Sequence, residues 1–210
     1  MDTLRLDMPE TDDDDEKKDD KKKENGMANH LLKTRTIVLT GQVDQEMAER
    51  IMSQLVVLDA ESHDPIKVII TSQGGHVDAG YAIHDMLRFV ESDVFCIGAG
   101  WVASIAVPIL LGAPNKANRL ALPNTRFLLH QPSGGAGGQL QDIRIEAQEI
   151  LKIREKINEL IAKETGQPVA KVALDSDRNF WMSAEEALKY GIISRVVASA
   201  KDVKSDPSAV

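Results

Sequence analysis

The chain has 210 residues, which suits about one domain, and 42% of them are hydrophobic, enough for a substantial core. Its formal charge of -8 opposes binding to nucleic acid or to an anionic membrane surface. No apolar run reaches the roughly 18 residues of a membrane span, and the lone Cys96 has no partner for an internal disulfide, so a reducing, cytoplasmic setting is expected.

The charge is unevenly placed. Residues 1–26 hold 11 acids and 6 bases, so this short stretch carries more than half of the net charge. Asp12 to Asp15 and Glu16 repel one another and have nothing to bury, and residues 1–28 are expected to form a disordered acidic segment. The segment has neither the basic start nor the apolar stretch of a secretory signal. One domain is expected over residues 29–200, with a flexible tail over 201–210.

Thr36 to Leu39 reads as a short strand ended by Gly41. Asp44 is a plausible N-cap for a helix to about Ala60, with Met47, Ile51, Leu55 and Leu58 on one stripe. Ile66 to Ile70 has little alternation, as buried parallel strands tend to have. The turn Ser72-Gln73-Gly74-Gly75 then leads to a helix near Ala79 to Val90. Val94 to Ile97 is the next strand, a third helix carries Ser104, and Arg119 to Leu122 and Arg126 to Leu129 read as strands. Repeated strand–helix order indicates an α/β fold with parallel pairing and right-handed crossovers. Ligands in such folds gather beyond the carboxyl ends of strands, where Gly74-Gly75, Ser104 and His130 all fall.

Residues 133–138 read Ser-Gly-Gly-Ala-Gly-Gly. A long helix follows from about Leu140 to Lys163, about 35 Å at 1.5 Å per residue, closed by Gly166 and Pro168. A projecting arm and an ordinary long core helix both fit that length. Ser183-Ala184-Glu185-Glu186 is a capping box opening a short helix that Gly191 ends, and Ile192 to Val197 is the last strand.

Ser104, His130 and Asn179 are the candidate catalytic residues. A hydroxyl near a helix start, an imidazole at a strand end and a third group to hold that imidazole are the parts of a serine hydrolase. Each also has a simpler use, Ser104 as a helix cap and His130 as a strand-end residue bonded to a carbonyl. Asn179 can accept from an imidazole N–H and fix its tautomer, but it lacks the charge of a carboxylate. Asp175 and Asp177 are nearby acids that could serve instead, although Asp177 beside Arg178 more naturally makes an ion pair. Ala103-Ser104-Ile105-Ala106 lacks the glycines of an α/β-hydrolase elbow. Gly74-Gly75 is either a tight turn or a backbone that approaches a ligand closely. The histidines show no zinc spacing, so no metal and no organic cofactor are expected.

In order and spacing these residues resemble the proteolytic subunit of the Clp protease. The likeness covers roughly residues 31–198. It includes Leu32-Lys33-Thr34-Arg35-Thr36-Ile37, Gly74-Gly75, Ala103-Ser104-Ile105, Leu129-His130-Gln131-Pro132 and Gly134-Gly135-Ala136-Gly137-Gly138-Gln139. It continues through Asp175-Ser176-Asp177-Arg178, Met182-Ser183-Ala184-Glu185-Glu186-Ala187 and Tyr190-Gly191-Ile192-Ile193.

The resemblance implies a crotonase-like fold of repeated β/α units with a protruding handle over about 133–164. It implies two stacked heptameric rings enclosing a chamber, fed with unfolded protein or peptide by an AAA+ unfoldase. It implies serine endopeptidase activity, with Ser104 as nucleophile, His130 as base and Asn179 in the place of the orienting aspartate. The backbone N–H groups of Gly75 and Ile105 would form the oxyanion hole. Gly134, Gly135, Ala136 and Gly137 would pair with an extended substrate strand, and Asp177 and Arg178 would join the rings. Relative to the family pattern, Gln73 replaces a proline, His76 a serine and Ile105 a methionine, and Pro108 is unusual. Two other functions are open on these residues: a weakly active regulatory ring subunit, and an acyl-CoA-handling crotonase-like enzyme.

Overall fold

The computed structural model describes residues 30–132 and 137–204. The chain divides after Thr34, and the fold lies in the unit from Arg35 onward. Among the described residues no helix is long and apolar enough to cross a membrane.

The first crossover follows the expected chemistry. Strand β1 (Thr36–Val43) leads to helix α1 (Gln45–Glu61), and the Asp44 carboxylate accepts from the Met47 N–H at 2.8 Å as its N-cap. The expected stripe, Met47, Ile51, Leu55 and Leu58, is the buried face. Full burial of each such side chain stabilises by about 1.5–3 kcal/mol. Strand β2 (Ile66–Gly75) pairs parallel with β1, and α2 (Val77–Phe89) returns to β3 (Val94–Ala103), parallel to β2.

Two expected boundaries shift because pairing overrides local preference. Ser72 to Gly75 is the end of β2, not a turn, with Val43 opposite Gly75. The strand from Val94 runs on to Ala103, through Gly98 and Gly100. Its early part, Cys96 to Gly98, pairs with β4 (Arg119–Ala121), and its late part, Trp101 to Ala103, pairs with β5 (Arg126–Leu129). The glycines cost conformational entropy, and ladders on both sides of β3 offset it.

The strand order is β1-β2-β3-β4-β7, with β7 at Arg195–Val196, and β5 branches from β3 to pair with β6 (Phe180–Ser183). All pairings are parallel except β5 with β6. Helix α3 (Ala106–Leu110) follows β3.

Helix α4 (Leu140–Thr165) has 26 residues, a length of about 39 Å. Its first ten residues are all exposed, with Leu140 and Ile145 79% and 55% exposed, while Ile161, Ala162 and Glu164 are buried. It is thus an arm anchored at its C-terminal end. The anchor is a buried pair: Arg119, 1% exposed, donates from Nη2 to Glu164 Oε2 at 2.6 Å. Gly166 closes the helix in the left-handed region at φ 79°.

Helix α5 (Val169–Asp175) and strand β6 were not anticipated by the sequence pattern. Both are short, and each takes its stability from packing. Helix α6 (Ala184–Tyr190) carries the expected capping box between Ser183 and Glu186. The last expected strand is shorter, and a 3-10 helix at Ala200–Lys204 buries Val203 against Ile97, Leu120 and Val197.

Candidate active site

Ser104 sits between the end of β3 and the start of α3, with φ 57°. A non-glycine residue in this region costs about 1–3 kcal/mol and persists where its surroundings over-determine it. Here they do. The Ser104 N–H donates to Leu128 O at 2.9 Å, and Ser104 O accepts from the Val107 N–H at 3.0 Å. The simpler use as a cap does not apply: the N-cap of α3 is Ile105, with no side-chain cap bond. The Ser104 side chain is left to the site. Pro108 falls at the third helical position, where its missing N–H would have had no partner anyway.

Gly74 lies directly behind the serine. A Cβ on Gly74 would stand 2.6 Å from Ser104 Cβ and 2.7 Å from Ala103 O, and the backbone has φ +90°. Only glycine allows that approach. Buried Ser72 holds this end of β2: its hydroxyl donates to Gly41 O at 2.6 Å and accepts from the Gly74 N–H at 3.0 Å. Next, the His76 N–H donates to Val43 O at 2.7 Å. Successive strand N–H groups alternate sides, so that of Gly75 is directed away from β1. A Cβ on Gly75 would lie 2.2 Å from Val43 O.

His130 follows β5 and is half-buried. It lines two adjoining clefts. The first holds Ser104 with an apolar wall of Val77, Ile105, Leu129, Pro132, Ile157 and Ile161. The second holds Asp177, Arg178 and Asn179 with Gln131 and Pro132.

Asn179 reaches the second cleft because of β6. In the antiparallel ladder Arg126 faces Ser183, Phe127 faces Met182, Leu128 faces Trp181 and Leu129 faces Phe180. The ladder ends at that pair, and His130 and Asn179, the next residue on each side, both line the second cleft.

The expected ion pair between Asp177 and Arg178 is not what the structure contains. The Asp177 carboxylate instead accepts from the Gln131 amide and lies 3.6 Å from Arg154 Nη2 on α4. Neighbours in sequence need not face each other in a turn, and Arg178 is exposed. Asp175 accepts from Lys171 Nζ at 2.5 Å and from the Tyr190 hydroxyl at 2.8 Å. Both acids therefore have other partners. Gly134, Gly135 and Ala136 lie outside the described residues, and Gly137 is exposed just before α4.

Sequence reasoning missed Ser72 and Gln131, because a buried serine before a glycine pair and a glutamine after a histidine carry no pattern of their own. It also missed the apolar wall from Ile157 and Ile161, whose helical spacing alone does not say what they face.

With this geometry in place, comparison with known proteins is decisive. A model of the Clp protease family matches residues 18–200. The chain belongs to the Clp protease family. It is a serine endopeptidase of the Clp type. A similar relative is the ATP-dependent Clp protease proteolytic subunit 3 of Rhizobium etli. It is 50% identical over 174 residues, covering 83% of this chain and 89% of that one. Proteolytic subunit 2 of Pseudomonas aeruginosa is 42% identical over 177 residues, covering 84% and 88%. Among solved structures, ClpP1 from Listeria monocytogenes, in an asparagine-to-aspartate variant, aligns with a TM-score of 0.79 at 45% identity. That alignment covers 85% of this chain and 99% of the other. The fold is accordingly that of the Clp proteolytic subunit.

Proposed function

We propose that Ser104, His130 and Asn179 are the nucleophile, the general base and the orienting group of this endopeptidase. The observation that carries the proposal is that His130 lines both the cleft of Ser104 and the cleft of Asn179. Ser104 attacks the peptide carbonyl as His130 takes its proton. The N–H groups of Gly75 and Ile105 stabilise the oxyanion. His130 then protonates the leaving amine, and water repeats the sequence on the acyl-enzyme. Asn179 accepts from the second imidazole nitrogen but adds no charge, so turnover is below that of a carboxylate triad.

The substrate would be an unfolded protein or peptide, held as an added strand by residues 134–137. The exposed apolar residues of α4 support an arm that interlocks subunits into two stacked heptameric rings, a tetradecamer, with Asp177 and Arg178 at the ring junction. An AAA+ unfoldase would supply substrate, in the cytoplasm. The reading is tested with a serine-reactive fluorophosphonate. Labelling is expected in the unmodified chain and lost in Ser104→Ala, with assembly intact. Specific labelling that persists in Ser104→Ala rejects Ser104 as nucleophile.

A further inference from the structure

We propose that His84 is a positioning residue for the Ser104 site, acting through the carbonyl of Pro108; this rests on Ser104 being the nucleophile. The two lie on different helices. His84 is on α2, 5% exposed, and its Nδ1 is 2.7 Å from Pro108 O on α3. Since a carbonyl only accepts, the imidazole carries its proton on Nδ1. Burial lowers the His84 pKa, which keeps the ring neutral with that tautomer in place.

Pro108 O needs this donor. In a helix that continued, it would accept from the Gly112 N–H. That N–H instead donates to Ile109 O at 2.9 Å, because α3 tightens at its end. Pro108 is buried, so without His84 its carbonyl would be a buried, unpaired acceptor.

The bond is the polar rung of a three-rung contact between α2 and the nucleophile segment. A Cβ on Gly80 would lie 2.2 Å from Ile105 Cγ1, so the helix and the turn meet there without a spare atom. His84 meets Pro108 one turn later. At the next turn, a Cβ on Gly112 would lie 3.0 Å from Leu87 Cδ1 and 3.1 Å from His84 O. Gly80, His84 and Leu87 are spaced to share one helix face. The apolar rungs set how close the helices come. The hydrogen bond sets the rotation of α3, since it alone is directional.

That rotation passes to Ser104 through a short path. Val107 N–H donates to Ser104 O at 3.0 Å and Ile109 N–H to Ile105 O at 3.1 Å, so the strained serine and Pro108 lie in two overlapping hydrogen-bonded turns. Small displacements of a nucleophile cost rate more than binding.

The test compares His84→Leu with His84→Asn, two side chains of nearly equal shape of which only the amide can donate. Fluorophosphonate labelling and peptide kcat are expected to fall about tenfold in His84→Leu with KM unchanged. His84→Asn is expected to recover most of that loss. If His84→Leu does not fold, as judged by its melting transition, His84→Phe fills the volume without a donor and carries the same comparison. Equal labelling of unmodified and His84→Leu protein overturns the proposal, as does a loss in His84→Asn as large as in His84→Leu. Absence of labelling in the unmodified chain overturns the Ser104 reading itself, and the His84 proposal with it.

Discussion

His130 and Asn179 each stand one position beyond Leu129 and Phe180, the last pair of the β5–β6 ladder, and both line one cleft. Each position adjoins the end of a paired strand, which brings the two residues to the same cleft. This makes the chemistry at position 179 the quantity to vary. Asn179→Asp introduces the charge that stabilises an imidazolium without changing the shape of the side chain. Peptide turnover is expected to rise by about tenfold or more at neutral pH. Steady-state kinetics on an oligomer of unchanged mass checks this; an unchanged or lower rate would show that the amide is not what limits the enzyme.

Gly74 and Gly41 provide a matched pair. Both have positive φ, +90° and +89°, but a Cβ at Gly41 meets nothing within 4 Å, whereas one at Gly74 meets Ser104 and Ala103. Gly41→Ala is expected to cost about 1 kcal/mol of stability from backbone strain and to leave turnover near its starting value. Gly74→Ala carries the same strain and also displaces Ser104, so kcat is expected to drop about a hundredfold. Equal kinetics for the two variants would contradict the close approach behind Ser104.

Arg119 and Glu164 anchor the arm. Burial by itself would raise the Glu164 pKa, but the hydrogen bond and charge of Arg119 outweigh it and hold the carboxyl below its ordinary 4.5. A depressed folded-state pKa contributes stability that is complete above the unfolded value and is lost as pH falls through the folded one. Acid unfolding followed by circular dichroism should therefore show a component below about pH 4.5 that is missing from Glu164→Gln. Arg119→Met leaves the carboxylate buried without its hydrogen-bonded partner, with Arg88 3.5 Å away, and is expected to lower stability by about 3–5 kcal/mol at neutral pH.

Asp177 joins three elements, through Gln131 after β5 and Arg154 on α4. Asp177→Ala removes the carboxylate that both partners share and leaves Gln131 its bond to the backbone carbonyl, next to the cleft that holds His130. Sedimentation velocity is expected to show smaller particles than the unmodified chain, and peptidase activity to fall in parallel. Full-size particles with full activity would remove Asp177 from any role in assembly.

Local chemistry determined much of this protein. The Asp44 cap, the apolar stripe of α1, the parallel run of β2, the long α4 ended by Gly166 and the capping box of α6 are signals within one or two turns of chain. They are legible because each rests on near neighbours in sequence. The family motifs around Ser104, His130 and the 175–179 stretch were legible for the same reason.

Only the tertiary structure decided what those motifs do to one another. Strand β3 continues through two glycines because β4 and β5 hold opposite ends of it. Four residues of β6, too few to announce a strand, bring Asn179 to the cleft that His130 lines. Asp177 leaves its neighbour Arg178 for Gln131 and Arg154, and His84 finds a carbonyl 24 positions away. Pairing and burial supply the energy for each of these, and they act between segments that no local pattern brings together.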